Sequence, residues 1–203
     1  MNNIIAVSGP VGGGKTSFVK ALAGRLYSAP VIHYDHYETE TLKSPEYLKK
    51  WIKDGADFNE FTAPGLSEDL RKLKTGESIT DVSTGKKIGP QKYILFEMPL
   101  GKEHKETANL IDILIWIDIP LDSALARKMR EFTEIFLGRK GDYRESILWL
   151  KHYLENYLDV IRDVLVVQKE RVSVNADIVV DGMGNFESMV EYAAGEIEKK
   201  CSV

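Results

Sequence analysis

The residues whose types and spacing most clearly indicate chemistry lie near the start of the chain, where residues 9–16 read GPVGGGKT. This segment matches the pattern G-x-x-x-x-G-K-[ST] of loops that bind phosphate groups. Lys15 supplies a positive charge for the β- and γ-phosphates, and the hydroxyl of Thr16 can coordinate Mg²⁺. We predict a nucleotide site from Lys15, Thr16, the adjacent Ser17 and the glycines that let backbone N–H groups converge on phosphate oxygens, Gly9, Gly12, Gly13 and Gly14.

Three carboxylates follow predicted strands and are therefore expected where ligands bind in an open parallel sheet, beyond the carboxyl ends of its strands. Asp35, in VIHYDHYE, is the candidate base that accepts the proton of an attacking hydroxyl, or else it caps a helix or turn. Glu97, in YILFEMP, is the candidate Mg²⁺ ligand, directly or through water, with the same alternative. For Asp118 a metal ligand and a helix cap are both open, and the following Ile119-Pro120 favours the cap.

Five cations occur around one glycine-containing break between two predicted helices: Arg127, Arg130, Arg139, Lys140 and Arg144. Arg127 and Arg130 are three residues apart, so they can share a helix face. Such a segment has the make-up of a lid that closes over a phosphoryl group and expels water. We expect catalytic roles for Arg127, Arg130 and Arg139; the alternative is a solvated basic face.

The elements that must position these residues follow from alternating hydrophobic patterns. Short apolar runs of strand type alternate with helical patterns, which predicts βαβ units and an α/β fold. Together with the phosphate loop at residues 9–16, this indicates a fold of the P-loop NTPase type. We expect three layers: a mostly parallel five-stranded sheet, helices on both faces, and a small lid at about 127–144. The predicted strands are 4–7, 31–34, 93–96, 111–119 and 176–180, and the longest predicted helix covers 144–170.

Composition limits the classes of protein that fit. The 203 residues, 43% of them hydrophobic and 29% charged, suit one globular domain. Residues 36–90 have a less regular pattern, and we expect this segment to be an acceptor-binding insertion. A net charge of −4 gives no footprint for nucleic acid, and no apolar run is long enough for a membrane span. One cysteine and no basic leader favour a cytoplasmic protein. The apolar face of helix 144–170 fits either core or an interface between copies, so a homo-oligomer stays open.

Histidine placement adds candidates for an acceptor pocket. His33 and His36 bracket Asp35, whereas His104 and His152 have the pattern of surface positions. No histidine has the spacing of a zinc ligand.

The chain resembles the uridine kinase/phosphoribulokinase family of P-loop kinases over most of its length. The phosphate loop is followed by a strand that ends in Asp35-His36-Tyr37, similar to the family's D-x-[FY] element with its general base. The stretch 54–79, DGADFNEFTAPGLSEDLRKLKTGESI, is similar to the family segment that leads into a small hairpin. Glu97 matches the family's magnesium-binding acid, ARKMRE at 126–131 looks like its arginine-rich lid helix, and ADIVV at 176–180 its last strand.

This resemblance implies transfer of the γ-phosphoryl group of MgATP to an alcohol, with a nucleoside-like acceptor. It implies Mg²⁺ on Thr16 and Glu97, and an acceptor bound by Asp35, His36, Tyr37 and Asp81. The hairpin reads Thr80-Asp81-Val82-Ser83-Thr84-Gly85, without the Tyr-Asp pair and the His that hold the base in uridine kinases. A pantothenate-like or sugar acceptor is the alternative, and a P-loop nucleotide switch is the rival from another class.

Overall fold

A computed structural model describes residues 2–38, 43–138 and 143–201. Its main sheet has the strand order β2-β5-β1-β6-β7, and every neighbouring pair is parallel. This confirms the predicted five-stranded parallel sheet. A separate antiparallel hairpin, β3 with β4, lies within the predicted insertion. The strands are β1 Asn3–Ser8, β2 Val31–His33, β3 Ile79–Thr80, β4 Lys87–Ile88, β5 Tyr93–Glu97, β6 Ile113–Asp118 and β7 Ile178–Asp181.

Helices cover both faces of the sheet, as predicted. The strands are buried on both sides, which explains why they read as continuous apolar runs. In β1, Ile4 and Ala6 face one core cluster, while Ile5 and Val7 face the other. The helices are α1 Lys15–Arg25, α2 Pro45–Lys53, α3 Leu66–Thr75, α4 Lys105–Ala108, α5 Leu121–Leu137, α6 Tyr143–Asn156, α7 Arg162–Val172 and α8 Phe186–Lys200.

The predicted helix at 144–170 corresponds to α6 and α7, joined by a π-helical turn at Tyr157–Ile161. Its apolar stripe changes environment along its length. Ile147 is 64% exposed, whereas Val160 and Leu165 are buried. Four aromatic rings of α5 and α6 pack on one another: Phe132, Phe136, Trp149 and Tyr153. The part of the stripe in the π-helical turn and in α7 therefore belongs to the core.

One prediction about the surface is wrong. His104 is 2% exposed, packs edge-on against Tyr34, and shares a hydrogen bond with Thr107. Burial lowers the pKa of its imidazole. His152 is exposed, as expected. Within the three described ranges, no helix combines the length and apolar character needed to cross a bilayer.

Candidate functional site

The phosphate loop, two strand ends and helix α5 surround one cavity of about 990 Å³. Asp35 follows β2 and Glu97 ends β5, and these strands are hydrogen-bonded neighbours. Because β1 lies on the other side of β5, the loop that follows it opens at the same sheet edge. The cavity is lined by most of the predicted site residues: Gly9, Gly12, Gly13, Gly14, Lys15, Thr16, Ser17, Asp35, Glu97, Arg127 and Arg130.

Two glycines of the loop are required by its geometry. Gly14 has a φ of 88° at the N-terminus of α1, in the left-handed region that favours glycine. Gly12 has a φ of 75°, and a β-carbon there would overlap the carbonyl oxygen of Ala124 in the first turn of α5. The loop and α5 are thus in direct backbone contact, and the start of α1 directs its N–H groups into the cavity.

Lys15 carries the positive charge of the loop. Its ammonium donates to the carbonyl oxygens of Gly9, at 3.0 Å, and of Pro10, at 3.1 Å. Burial lowers the pKa of Lys15, while the carboxylates of Glu97 and Asp35 act in the opposite direction. Both acids therefore lie close enough to Lys15 to influence its charge.

Glu97 is held from two sides. Thr16 donates its hydroxyl to Oε1 at 3.0 Å, and Nδ1 of His33 lies 2.8 Å from Oε2. Burial alone would raise the pKa of Glu97, but the hydrogen bond with His33, the charge of Lys15 and the hydrogen bond from Thr16 together lower it. The carboxylate is therefore kept ionised and oriented beside Thr16.

The pair of Thr16 and Glu97 fits a magnesium ion by its chemistry. Mg²⁺ prefers hard oxygen donors and is bound by one or two protein groups together with water and substrate phosphates. A hydroxyl and an ionised carboxylate, 3.0 Å apart at the start of α1, supply such donors next to the phosphate loop. His33 is the outer partner that orients the carboxylate.

The predicted acceptor residues divide into two groups. Asp35 and His36 are exposed in the 3-10 turn after β2, and Asp35 lines the cavity. Tyr37 is buried, and its hydroxyl donates to Asp69 of α3 at 2.9 Å. Asp81 starts the turn of the hairpin, where its Oδ1 accepts hydrogen bonds from the backbone and hydroxyl groups of both Ser83 and Thr84. Neither Tyr37 nor Asp81 lines the cavity.

The cations of the predicted lid differ in their partners and in their exposure to solvent. Arg127 donates to the carbonyl of Gly182 at 2.9 Å, and Arg130 is an exposed partner of Glu134 at 3.8 Å. Arg139 and Lys140 lie outside the described residues. Arg144 is exposed at the start of α6.

The preference for Asp118 as a helix cap is wrong. Helix α5 starts after Pro120 without a side-chain cap. Asp118 instead pairs with Lys169 of α7 at 2.6 Å, which lowers the pKa of its carboxyl, and it does not line the cavity. The sequence gives no sign of this pair, because its members are 51 positions apart in the chain and meet only through the packing of α7.

Two of the cavity residues that were not predicted from the sequence are Lys128 and Gln168. Lys128 lines the cavity from α5, and Gln168 lines it from α7 while donating to the carbonyl of Pro99 at 2.7 Å. Lys128 follows Ala124 by four positions and so lies one turn further along the same helix face. This spacing can be read from the sequence. It points to the cavity only once the contact between Ala124 and Gly12 is known, and the structure supplies that contact.

Comparisons with known proteins identify relatives of the chain. No protein-family model matches the chain. A uridine kinase from Chlamydia pneumoniae is 27% identical over 197 residues, which cover 88% of this chain and 81% of the relative. A uridine kinase from Clostridium tetani is 22% identical over 97% of this chain and 94% of its own length.

Solved structures give the same fold at lower identity. The structure of a possible uridine kinase from Bacillus stearothermophilus has a TM-score of 0.52 and 14% identity, with 89% of each chain covered. A gluconokinase from Sinorhizobium meliloti has a TM-score of 0.53 and 14% identity, covering 98% of this chain and 94% of that one.

Fold, phosphate loop and relatives together define the class: the chain is a P-loop kinase, a phosphotransferase that acts on an alcohol group. Within that class the comparisons support a place in the uridine kinase-like family, which confirms the resemblance drawn from the sequence.

Proposed function

We propose that the protein transfers the γ-phosphoryl group of MgATP to a hydroxyl of a nucleoside-like small molecule. The observation that carries this proposal is the convergence of Lys15, Thr16, Glu97 and Asp35 on one cavity. A phosphate-binding loop alone fits many nucleotide-binding proteins. A carboxylate outside the loop that lines the same cavity is what a kinase needs in addition, because the acceptor must lose a proton.

The loop and the predicted lid bind the phosphates of the nucleotide and stabilise the transferring phosphoryl group. Backbone N–H groups of the loop glycines and the ammonium of Lys15 hold the β- and γ-phosphates. Arg127, Arg130 and Arg139 stabilise the charge on the transferring phosphoryl group. Thr16 and Glu97 would hold Mg²⁺, which neutralises charge on the β- and γ-phosphate oxygens when it is bound.

The acceptor half falls to Asp35. The acceptor oxygen forms a bond to the γ-phosphorus, the bond from that phosphorus to the bridging oxygen breaks, and ADP leaves. Asp35 accepts the proton of the acceptor hydroxyl. Its exposed position in the turn after β2 leaves the carboxylate open to a ligand in the cavity.

The acceptor binds on the side of Asp35, His36, Tyr37 and Asp81. His36 lies beside Asp35 with its ring 4.9 Å from that of His33. Tyr37 and Asp81 shape this side from behind, because the hydroxyl of Tyr37 fixes α3 and Asp81 fixes the hairpin turn. The choice of a nucleoside-like acceptor draws on the names of the curated relatives, which are uridine kinases. ATP as the donor is what the family resemblance of the sequence implies.

The setting we propose is the cytoplasm, in line with a chain that has a single cysteine. The substrates are small molecules, and neither nucleic acid nor a membrane takes part. A homo-oligomer is compatible with the exposed apolar residues of α6, among them Ile147 and Leu154.

A coupled assay of ADP release tests the proposal. MgATP is offered with nucleosides, pantothenate-like alcohols and sugars in parallel. We expect a nucleoside to accelerate ADP formation well above the background with water. Acceleration only by a sugar or a pantothenate-like alcohol would move the acceptor to the alternative class. Binding of MgATP with a conformational difference between di- and triphosphate states, but no active acceptor, would indicate a switch.

A further inference from the structure

Lys128 lines the cavity, but the proposed reaction gives it no role. It lies on α5 one turn after Ala124, whose carbonyl contacts Gly12 of the phosphate loop. A β-carbon on Gly12 would also lie 3.2 Å from the β-carbon of Lys128. The side chain lines the cavity and is 21% exposed. Lys128 thus begins directly above the loop, on a helix rather than on a flexible segment.

Two contacts hold the ammonium group of Lys128. It lies 2.9 Å from Oε1 of Glu131 and 4.7 Å from the centre of the Phe132 ring. Both partners are on α5 itself, within four residues. They limit the rotamers of the lysine without neutralising it fully, because the carboxylate of Glu131 is itself about half exposed.

The charges of Lys128 and Lys15 are close enough to affect one another. Burial lowers the pKa of Lys15, Glu97 and Asp35 raise it, and the positive charge of Lys128 lowers it further. Two ammonium groups that repel each other across a phosphate loop are stabilised by an anion between them. A polyphosphate is such an anion.

The two arginines of α5 also line the cavity, but each contacts a partner outside the phosphate loop. Arg127 is bound to the carbonyl of Gly182, and Arg130 is 75% exposed beside Glu134. Lys128 is therefore the α5 cation, among those described, whose stem packs on the loop.

We propose that Lys128 is a second lysine of the polyphosphate site and binds phosphate oxygens of the nucleotide from α5, opposite Lys15. The inference deepens the proposed function, since it concerns the same phosphates. On binding, Lys128 exchanges the carboxylate of Glu131 for a phosphate oxygen, and both groups remain charged.

Calorimetric titration with inorganic tripolyphosphate and with MgATP tests this role, because tripolyphosphate has no base or sugar. For Lys128→Met we expect about tenfold or more weaker binding of both ligands. Lys128→Arg keeps the charge and should stay within a few-fold of the wild type. Lys199→Met is the matched control: Lys199 pairs with Glu196 at i,i−3 on α8, outside the cavity, and should bind like the wild type.

Glu131→Gln gives a second, independent test that does not remove the lysine. Without its partner, Lys128 should bind tripolyphosphate about two- to fivefold more tightly, the range expected for an exposed ion pair. Glu134→Gln is the matched control, because it removes a carboxylate from the same cavity that is not the partner of Lys128. A lysine that only braces α5 would give equal gains in the two variants. This variant also keeps the proposal testable if Lys128→Met fails to fold.

The outcomes separate the two proposals. If the wild type binds neither MgATP nor tripolyphosphate, the proposed function fails. If the wild type binds both and folded Lys128→Met binds them equally well, only the role of Lys128 is overturned. A lower melting temperature of that variant with unchanged affinity would assign the lysine to helix stability alone.

Discussion

The phosphate side and the acceptor side of the cavity are built in different ways. On the phosphate side, residues from distant parts of the chain hold one another: Thr16 and His33 bind Glu97, and Gly12 packs on Ala124. On the acceptor side, the contacts are more local, apart from the hydrogen bond of Tyr37 with Asp69 of α3. Asp81 is bonded within its own turn, and Asp35 projects from a single turn of 3-10 helix.

This difference matches the two tasks of a kinase. Every nucleoside triphosphate presents the same phosphates, so the groups that bind them gain from a fixed arrangement. Acceptors vary, and a side built from a turn and a short hairpin can change without disturbing the sheet. We expect loss of Lys15 on the phosphate side to affect nucleotide binding as well as turnover, and loss of the carboxylate of Asp35 on the acceptor side to affect turnover alone.

Asp35→Asn has the largest expected effect, and it tests the difference between the acceptor side and the phosphate side most directly. Asparagine cannot take the proton of the acceptor, so we expect turnover to fall about 10²–10⁴-fold. Affinity for MgATP should stay close to that of the wild type. Steady-state kinetics with a saturating acceptor, together with calorimetry, measure both. Asp54→Asn, at an exposed ion pair with Lys50, is the control. Unchanged turnover would remove Asp35 from the reaction.

Lys15→Met should reduce turnover about 10²–10³-fold, the usual effect of removing one preorganised donor to a charged transition state. Unlike the change at Asp35, it should also weaken nucleotide binding, because the ammonium contacts the bound phosphates. Lys20→Met, at an exposed position of α1, should leave both quantities unchanged. Full nucleotide affinity in Lys15→Met would break the proposed division between the two sides.

Gly12→Ala tests the backbone contact between the loop and α5. The added methyl group overlaps the carbonyl of Ala124, and the φ of 75° disfavours alanine, so we expect a loss of about 1–3 kcal/mol in the free energy of unfolding. Gly24→Ala is a control with the opposite sign. Gly24 lies in α1 with open space around it and should gain about 0.5–1 kcal/mol. Denaturant titrations measure both, and equal stabilities would contradict the tight contact.

Asp81→Ala has the smallest expected effect and concerns stability at low pH. Hydrogen bonds from Thr84 and Ser83 outweigh the effect of burial and lower the pKa of Asp81 from 3.8 to about 2. The stabilisation is therefore present above pH 4 and is lost as the pH falls towards 2. Because the group faces solvent, it amounts to about 1 kcal/mol or less. The variant should show a flatter pH dependence of unfolding in this window. An unchanged slope would mean that Asp81 does not hold the turn.

Much of the fold and the central part of the site could be predicted from local patterns. The apolar runs around Ile4, Ile94 and Ile115 predict three neighbouring strands of the parallel sheet. The glycine-rich motif that contains Lys15 predicts the phosphate loop between a strand and a helix. What could not be predicted depends on side chains meeting across the fold. The pair of Asp118 and Lys169, the burial of His104 and the approach of Lys128 to the loop all arise from how helices pack, which spacing along the chain does not encode.

The contact of Gly12 with Ala124 has a mechanical consequence. It holds the first turn of α5 against the loop, so a rotation of the helix about that point would move its outer part like a lever. From Ala124 to Leu137 the lever is about 20 Å long, and a rotation of roughly 10° displaces its far end by roughly 3 Å. We therefore expect a nucleotide that shifts the loop slightly to displace the aromatic end of α5, which belongs to the predicted lid.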